Sequence, residues 1–281
     1  MPVQAEVNPR SSLRGEFAEK GYVILRGFFS PETMDELLAE IKRAGERHAQ
    51  GHVLNKDNMV FFGNIARAAP YLEEFATQDR IVDLLVDLIG PDFWIRWDQA
   101  VGKYPGGCDF PWHQDNAYNK LKDMHYQFWV GLTPMNERNG GLWLQPGSHK
   151  FGLLPHSKVD NHLSCDVKPC KEVFIKTEKG DVVIFSSLTL HYTTRNYSEN
   201  ERWAWVIEYM SCDHYDPHIR PPYFIVAENG VRNPHLADSY KACHDPSARM
   251  KYLGARTRET LRVKTETVIG KAGRLFGHRH E

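Results

Sequence analysis

The stretch Gly180-Asp181-Val182-Val183-Ile184-Phe185-Ser186-Ser187-Leu188-Thr189-Leu190-His191 reads as a turn, a buried strand and a histidine. Gly180-Asp181 supplies the turn. The run after it is apolar, rich in β-branched residues at its start, and too short for a typical helix, which predicts a buried strand over 182–190. The same signature recurs on both sides. Residues 93–103, 128–132, 141–145 and 203–210 are short segments rich in Trp, Val, Phe and Ile, separated by Gly, Pro and Asn turns. Strands at such intervals, with few helical windows between them, predict a β-sandwich or barrel spanning 93–212.

Upstream of this region the periodicity is helical. Ser30-Pro31 is an N-cap followed by proline at the first helical position, and Met34, Leu37, Leu38 and Ile41 recur at helical spacing. This predicts a helix over 31–49. A second helix is expected from a cap at Asp79, with Ile81, Leu84, Leu85, Leu88 and Ile89 as its apolar stripe and Gly90-Pro91 as its stop. Residues 21–27 read as a short strand between glycines. The tail after Ser247 is polar and helix-compatible. No repeat or low-complexity linker interrupts the chain, so residues 1–281 are expected to form one domain: a mainly helical part over 1–92, the β core over 93–212 and an extension over 213–281.

Composition narrows the function classes. The 281 residues carry 35 Lys+Arg against 36 Asp+Glu, a net charge of −1, which lacks the basic footprint of a nucleic-acid binder. A hydrophobic content of 41% with 25% charged residues is that of an ordinary globular protein. The opening MPVQAEVNPR has no apolar core of a signal peptide, and no run approaches the length of a membrane span. The five cysteines, odd in number and without CxxC spacing, fit a reducing, cytoplasmic setting. Asn196-Tyr197-Ser198 matches a glycosylation sequon but reads as a turn. The unusual count is 14 histidines, the commonest metal ligand and acid–base side chain.

The chemistry concentrates in Pro111-Trp112-His113-Gln114-Asp115. On an extended segment an H-x-D pair puts imidazole and carboxylate on one face. Such a pair supplies two ligands of a 2-His-1-carboxylate triad, which leaves positions open on Fe(II). Alone it reads more readily as a plain His–Asp hydrogen bond, and His191 alone fits a satisfied core histidine. Beyond His191 a turn cluster, Asn196-Tyr197-Ser198-Glu199-Asn200, precedes a strand opened by Arg202. Pairing across this hairpin is expected to bring Arg202 beside Thr193. A guanidinium and a hydroxyl near a metal suit a dicarboxylate.

The H-x-D pair, the late histidine and the arginine eleven residues after it resemble the phytanoyl-CoA dioxygenase-like family. The similarity extends to Trp129-Val130-Gly131-Leu132, to Asn139-Gly140-Gly141-Leu142 with Pro146-Gly147-Ser148-His149-Lys150, and to Lys179-Gly180-Asp181. It implies a mainly β protein with flanking helices: a double-stranded β-helix, jelly-roll or cupin-like, with N-terminal helices. It implies an enzyme that uses Fe(II), 2-oxoglutarate and O2 to oxidise a small-molecule substrate, with succinate and CO2 as co-products. Carried over residue by residue, His113, Asp115 and His191 correspond to iron ligands. Arg202, assisted by Thr193, corresponds to the anchor of the distal 2-oxoglutarate carboxylate, and Trp129 to a tryptophan near the co-substrate. Gln99 and Lys103, which share strand parity, stand where relatives hold substrate or co-substrate. The presence of Asp115 disfavours halogenation, for which related enzymes replace the carboxylate by a small residue. Hydroxylation of a small molecule of secondary metabolism is the expected outcome, with desaturation, epoxidation or ring formation as alternatives. A non-catalytic binding protein and a cupin enzyme that does not use 2-oxoglutarate are the competing classes. Oligomeric state is not legible, and neither nucleic acid nor membrane is an expected partner.

Overall fold

The computed structural model describes residues 9–48, 57–160, 162–214, 216–219 and 223–233. By compactness the chain divides into Met1–Tyr215 with Ile225–Asn233, and Asp216–Phe224 with Pro234–Glu281. The expectation for the polar tail after Ser247 lies outside the described residues.

The N-terminal part holds α1 (Pro9–Lys20), β1 (Tyr22–Leu25), α2 (Pro31–His48), β2 (Met59–Gly63), α3 (Pro70–Thr77) and α4 (Asp79–Ile89). Ser30 caps α2 as expected, its Oγ accepting the backbone N–H of Thr33 at 3.2 Å. Asp79 does not cap α4. Gln78 holds the extended cap position, and Asp79 is the first helical residue, where its charge faces the positive end of the helix.

The remaining elements are β3 (Phe93–Lys103), β4 (Phe110–His113), α5 (Asn116–Asn119), β5 (Tyr126–Gly131), β6 (Leu142–Leu144), β7 (His156–Val159), β8 (His162–Cys165), β9 (Val173–Ile175), β10 (Val182–Ser186), β11 (His191–Thr193), β12 (Arg202–Ser211), β13 (Phe224–Glu228) and β14 (Val231–Arg232). They build two sheets. The large one has the order β1-β10-β5-β12-β3-β13-β14, with β2 also paired to β3; the small one has the order β4-β11-β6-β9. Strands β7 and β8 form a separate hairpin. This is the expected jelly roll, mainly β with flanking helices.

Two layers of apolar side chains explain it. Between the sheets lie Tyr22, Trp129, Val183, Phe185 and Ala204 of the large sheet and Leu142, Leu144 and Ile175 of the small one. The alternate residues of β12, Trp203, Trp205, Ile207 and Tyr209, are fully buried on the other face. There Trp205 packs 5.6 Å from the Phe75 ring of α3, and Tyr209 Oη donates to Ala76 O at 2.6 Å. Strand periodicity of two thus fills both layers from one strand. Each large apolar side chain so buried contributes about 1.5–3 kcal/mol.

Three local expectations are corrected. The run 182–190 is not one strand: β10 ends at Ser186, and His191 begins β11 in the other sheet. The hydroxyls at the corner take over the backbone bonding. Leu188 N–H donates to Ser186 Oγ at 3.2 Å, and Thr189 Oγ1 donates to Gly21 O at 3.0 Å. Consequently β11 and β12 do not form a hairpin; Arg202 pairs with Lys103 of β3. Asp115 is not on a strand with His113, because β4 stops at His113 and Asp115 has helical angles at the start of α5. The sequon behaves as expected: Asn196 is buried, and its Nδ2 bonds Lys103 O and Asn200 O.

Candidate active site

Adjacent strands of the small sheet position the two histidines. His191 of β11 stands directly opposite His113 of β4 in register, with ring centroids 4.1 Å apart. Each ring is oriented by a backbone carbonyl two residues upstream. His113 Nδ1 lies 2.8 Å from Pro111 O, and His191 Nδ1 lies 2.9 Å from Thr189 O. A carbonyl only accepts, so each Nδ1 carries the proton and each Nε2 presents a lone pair. Both Nε2 atoms converge on Asp115, at 3.4 Å from Oδ1 for His113 and 3.6 Å from Oδ2 for His191. The strand-to-helix break makes this possible by folding Asp115 back over the end of β4.

One ligand atom from each of the three residues lies within 4.8 Å of the others, a grouping that can hold a metal ion. Ligands at about 2.1 Å from one ion and at right angles stand about 3 Å apart, so the site is near its bound dimensions. Asp115 Oδ2 is buried without a hydrogen bond. Burial pushes the Asp115 carboxyl up, but His191 and His113 outweigh it and hold the group well below the usual carboxylate range. Burial pulls His191 down to about 4, keeping its imidazole neutral and able to ligate at physiological pH.

Arg202 is fully buried, and none of Nε, Nη1 and Nη2 has a hydrogen-bond partner among the described residues. A guanidinium carries five donors, and leaving them all unmade in the interior is costly. Burial pulls it down to about 9, so it remains charged at neutral pH. Its Cζ stands 5.6 Å from the Trp129 ring, whose Nε1 is also without a hydrogen bond. Lys103, opposite Arg202 in register, is buried too; its Nζ donates to Thr193 O at 3.2 Å and Thr194 O at 2.7 Å. Burial, then the Arg202 charge, lowers the Lys103 ammonium well below its ordinary range. These lysine bonds link β3, the partner of the Arg202 strand, to the end of β11, so Thr193 belongs to the same end through its carbonyl. Gly140 closes the wall: its φ is +90°, and a Cβ there would stand 2.8 Å from Lys103 Cδ and 3.3 Å from Arg202 Nε.

A triad with lone pairs turned inward, together with a buried guanidinium whose donors have no partner among the described residues, fits a metal plus a carboxylate ligand. Comparison with known proteins agrees. The family model described as Phytanoyl-CoA dioxygenase (PhyH) matches residues 17–204. The chain belongs to the phytanoyl-CoA dioxygenase family. Among its relatives are a probable alpha-ketoglutarate-dependent hypophosphite dioxygenase of Stutzerimonas stutzeri and the ectoine dioxygenase of Nocardia farcinica. The first is 25% identical over 222 residues, covering 70% of this chain and 77% of that one. The second is 26% identical over 273 residues, covering 85% and 83%. Among solved structures, the epimerase SnoN, in complex with Fe3+, alpha-ketoglutarate and nogalamycin RO, superposes with a TM-score of 0.61. It is 18% identical and covers 79% of this chain and 86% of that one, a likeness of fold. As a member of this family, the chain is a dioxygenase of the iron- and 2-oxoglutarate-dependent type.

Of the residues singled out in the sequence, His113, Asp115 and His191 form the triad, while Arg202, Lys103, Thr193 and Trp129 gather at the other end of the site. Gln99 lies apart from that group, half-buried at the middle of β3 opposite Val206. Sequence reasoning missed the buried group of Arg96, His125 and Glu208. Arg96 Nη1 bonds Glu208 Oε2, and His125 Nε2 lies 3.3 Å from the same oxygen. A signal existed: Glu208 is the lone carboxylate in the apolar strand Trp203-Ala204-Trp205-Val206-Ile207-Glu208-Tyr209-Met210.

Proposed function

We propose that His113, Asp115 and His191 hold Fe(II), and that Arg202 pairs with the distal carboxylate of 2-oxoglutarate. On this reading the chain hydroxylates a small-molecule substrate of secondary metabolism, releasing succinate and CO2. The observation that carries it is the Arg202 guanidinium, buried and charged with every donor unspent. No ion pair among the described residues explains it, and a bidentate carboxylate would. Iron, 2-oxoglutarate and O2 together supply oxidising chemistry that no side chain can. The protein's own residues position and exclude. The two imidazoles and Asp115 would hold the metal with three protein ligands, a set that leaves further positions to the co-substrate. Trp129 covers the guanidinium at 5.6 Å and keeps its Nε1–H unbonded among the described residues, and Lys103 braces this end through its bonds to Thr193 O and Thr194 O. Buried walls at this end keep water from competing for Arg202. The relatives' names span hypophosphite and ectoine, so the family supports a small-molecule substrate without choosing one.

The test is calorimetric. Metal-loaded enzyme should bind 2-oxoglutarate, and Arg202→Gln should weaken that binding by about 10–100-fold, the value of a charge-assisted pair. Equal affinity in wild type and Arg202→Gln would contradict the assignment.

A further inference from the structure

Partial exposure on the two central strands of the large sheet is confined to four residues, apart from the terminal Ser211: Trp97 and Gln99 on β3, and Val206 and Glu208 on β12. They are cross-strand partners, Gln99 with Val206 and Trp97 with Glu208. By parity they share the face of Arg202 and Ala204, which looks between the sheets. Exposure there marks an open cavity rather than the outer surface. It lies beside the metal triad: Glu208 pairs with Gln127, Gln127 pairs with Phe185, and the Phe185 ring stands 4.9 Å from the His191 ring.

The polar groups of this wall are held but not used up. Arg96 and His125 both approach Glu208 at Oε2, so Oε1 keeps acceptor capacity. His125 is fully buried, and its Nδ1 has no hydrogen bond. Gln127, opposite Glu208 on β5 and 1% exposed, turns its amide toward that carboxylate. Glu208 meets the buried charge of Arg96, and it is the lone carboxylate in an otherwise apolar strand.

Building on the oxygenase reading, we propose that Trp97, Gln99, Gln127 and Glu208 form the substrate-recognition wall, and that it takes a compact polar molecule presenting an amine or hydroxyl donor to Glu208. Arg96 is a positioning residue that fixes the carboxylate. The Trp97 ring supplies a flat face for the carbon skeleton beside the donor, and favours a cationic one. The Gln99 and Gln127 amides read a second polar group. An unsubstituted acyl chain in the same place would strip water from a carboxylate and two amides and return no hydrogen bond. A site built this way rejects such ligands strongly.

The experiment measures succinate formed from 2-oxoglutarate by the Fe(II)-loaded full chain in air. The panel comprises primary amines and alcohols of up to about ten heavy atoms, their methyl-capped counterparts, and saturated acyl thioesters. At least one amine or alcohol should stimulate succinate formation tenfold or more, and its capped counterpart should not. Glu208→Gln should raise the half-saturating concentration of that compound at least tenfold, as should Gln99→Leu, while binding of 2-oxoglutarate to each variant stays within threefold of wild type. The binding measurement separates a folded variant from a collapsed one, and if Glu208→Gln collapses, Gln99→Leu carries the test. Stimulation by acyl thioesters or capped compounds alone, by nothing in the panel, or equally in wild type and folded variants would overturn the proposal. Failure of the wild type to bind 2-oxoglutarate would overturn the oxygenase reading instead, and this inference with it.

Discussion

A histidine is ready to ligate once its other ring nitrogen is committed, and here two backbone carbonyls make that commitment. Pro111 O and Thr189 O each fix an Nδ1–H, so His113 and His191 arrive with Nε2 lone pairs already aimed at the Asp115 carboxylate. Preorganisation of this kind predicts that one ligand is indispensable and not replaceable by its neighbours. His113→Ala should reduce bound iron, measured after equilibration with Fe(II) and desalting, to below about a tenth of the wild-type content, because a two-ligand remnant loses the chelate. Full iron content in that variant would place the metal elsewhere. At this scale the sequence was informative: the H-x-D pair, the late histidine and the arginine all reach the site. The manner in which they reach it was not legible. Asp115 gets there through a change from strand to helix after β4, and Arg202 through its register with Lys103, because neither a local change of backbone nor a strand partner about a hundred residues away leaves a local mark.

At the scale of elements, the boundaries of β3, α2 and α4 follow the pattern of apolar residues, caps and breakers. The 182–190 run was misleading because an apolar sequence continues through a corner. The turn is made by Ser186 and Thr189 hydroxyls, which look apolar-compatible in a buried run. A helix glycine shows how tightly the elements meet. Gly45 lies within α2, where a Cβ would stand 2.3 Å from the Phe62 ring of β2. Gly→Ala in a helix ordinarily gains up to about 1 kcal/mol. Overpacking against a ring costs about 1–3 kcal/mol, so Gly45→Ala should lose about 1 kcal/mol net. A lowered denaturant midpoint with an unchanged m-value is the expected result, and a raised midpoint the contrary one. The turn before β10 is pinned by Asp181, which accepts from Gly27 N–H at 2.7 Å, Glu178 N–H at 3.0 Å and Arg26 at 2.6 Å. Burial raises its carboxyl, but these donors outweigh burial and hold it below the ordinary value. A folded-state value below the unfolded one stabilises at higher pH, and the gain is lost as pH falls through the folded value. Asp181→Asn should therefore cost about 1–3 kcal/mol at pH 7. The gap between variant and wild type should close below about pH 4, as followed by thermal melts; a gap independent of pH would count against the charge.

Over the whole molecule, the two sheets divide the labour. The small sheet supplies His113 and His191, while the large sheet supplies Arg202, Lys103, Trp129 and the Glu208 wall. On the proposed reading two of the 14 histidines hold the metal, and His125 stands 3.3 Å from Glu208. The balanced charge of the chain conceals a strongly uneven interior, with Arg202 and Lys103 buried at one end and the Arg96–Glu208 pair at the other. Composition could not show this, because it counts charges without placing them. The central claim is that the triad and Arg202 together bind Fe(II) with 2-oxoglutarate. Anaerobic titration of the apoprotein, followed by visible absorption, tests it most directly. A weak charge-transfer band should appear only when Fe(II) and 2-oxoglutarate are both present, and should be absent in His113→Ala. A wild-type protein that shows no band with both added would contradict the account.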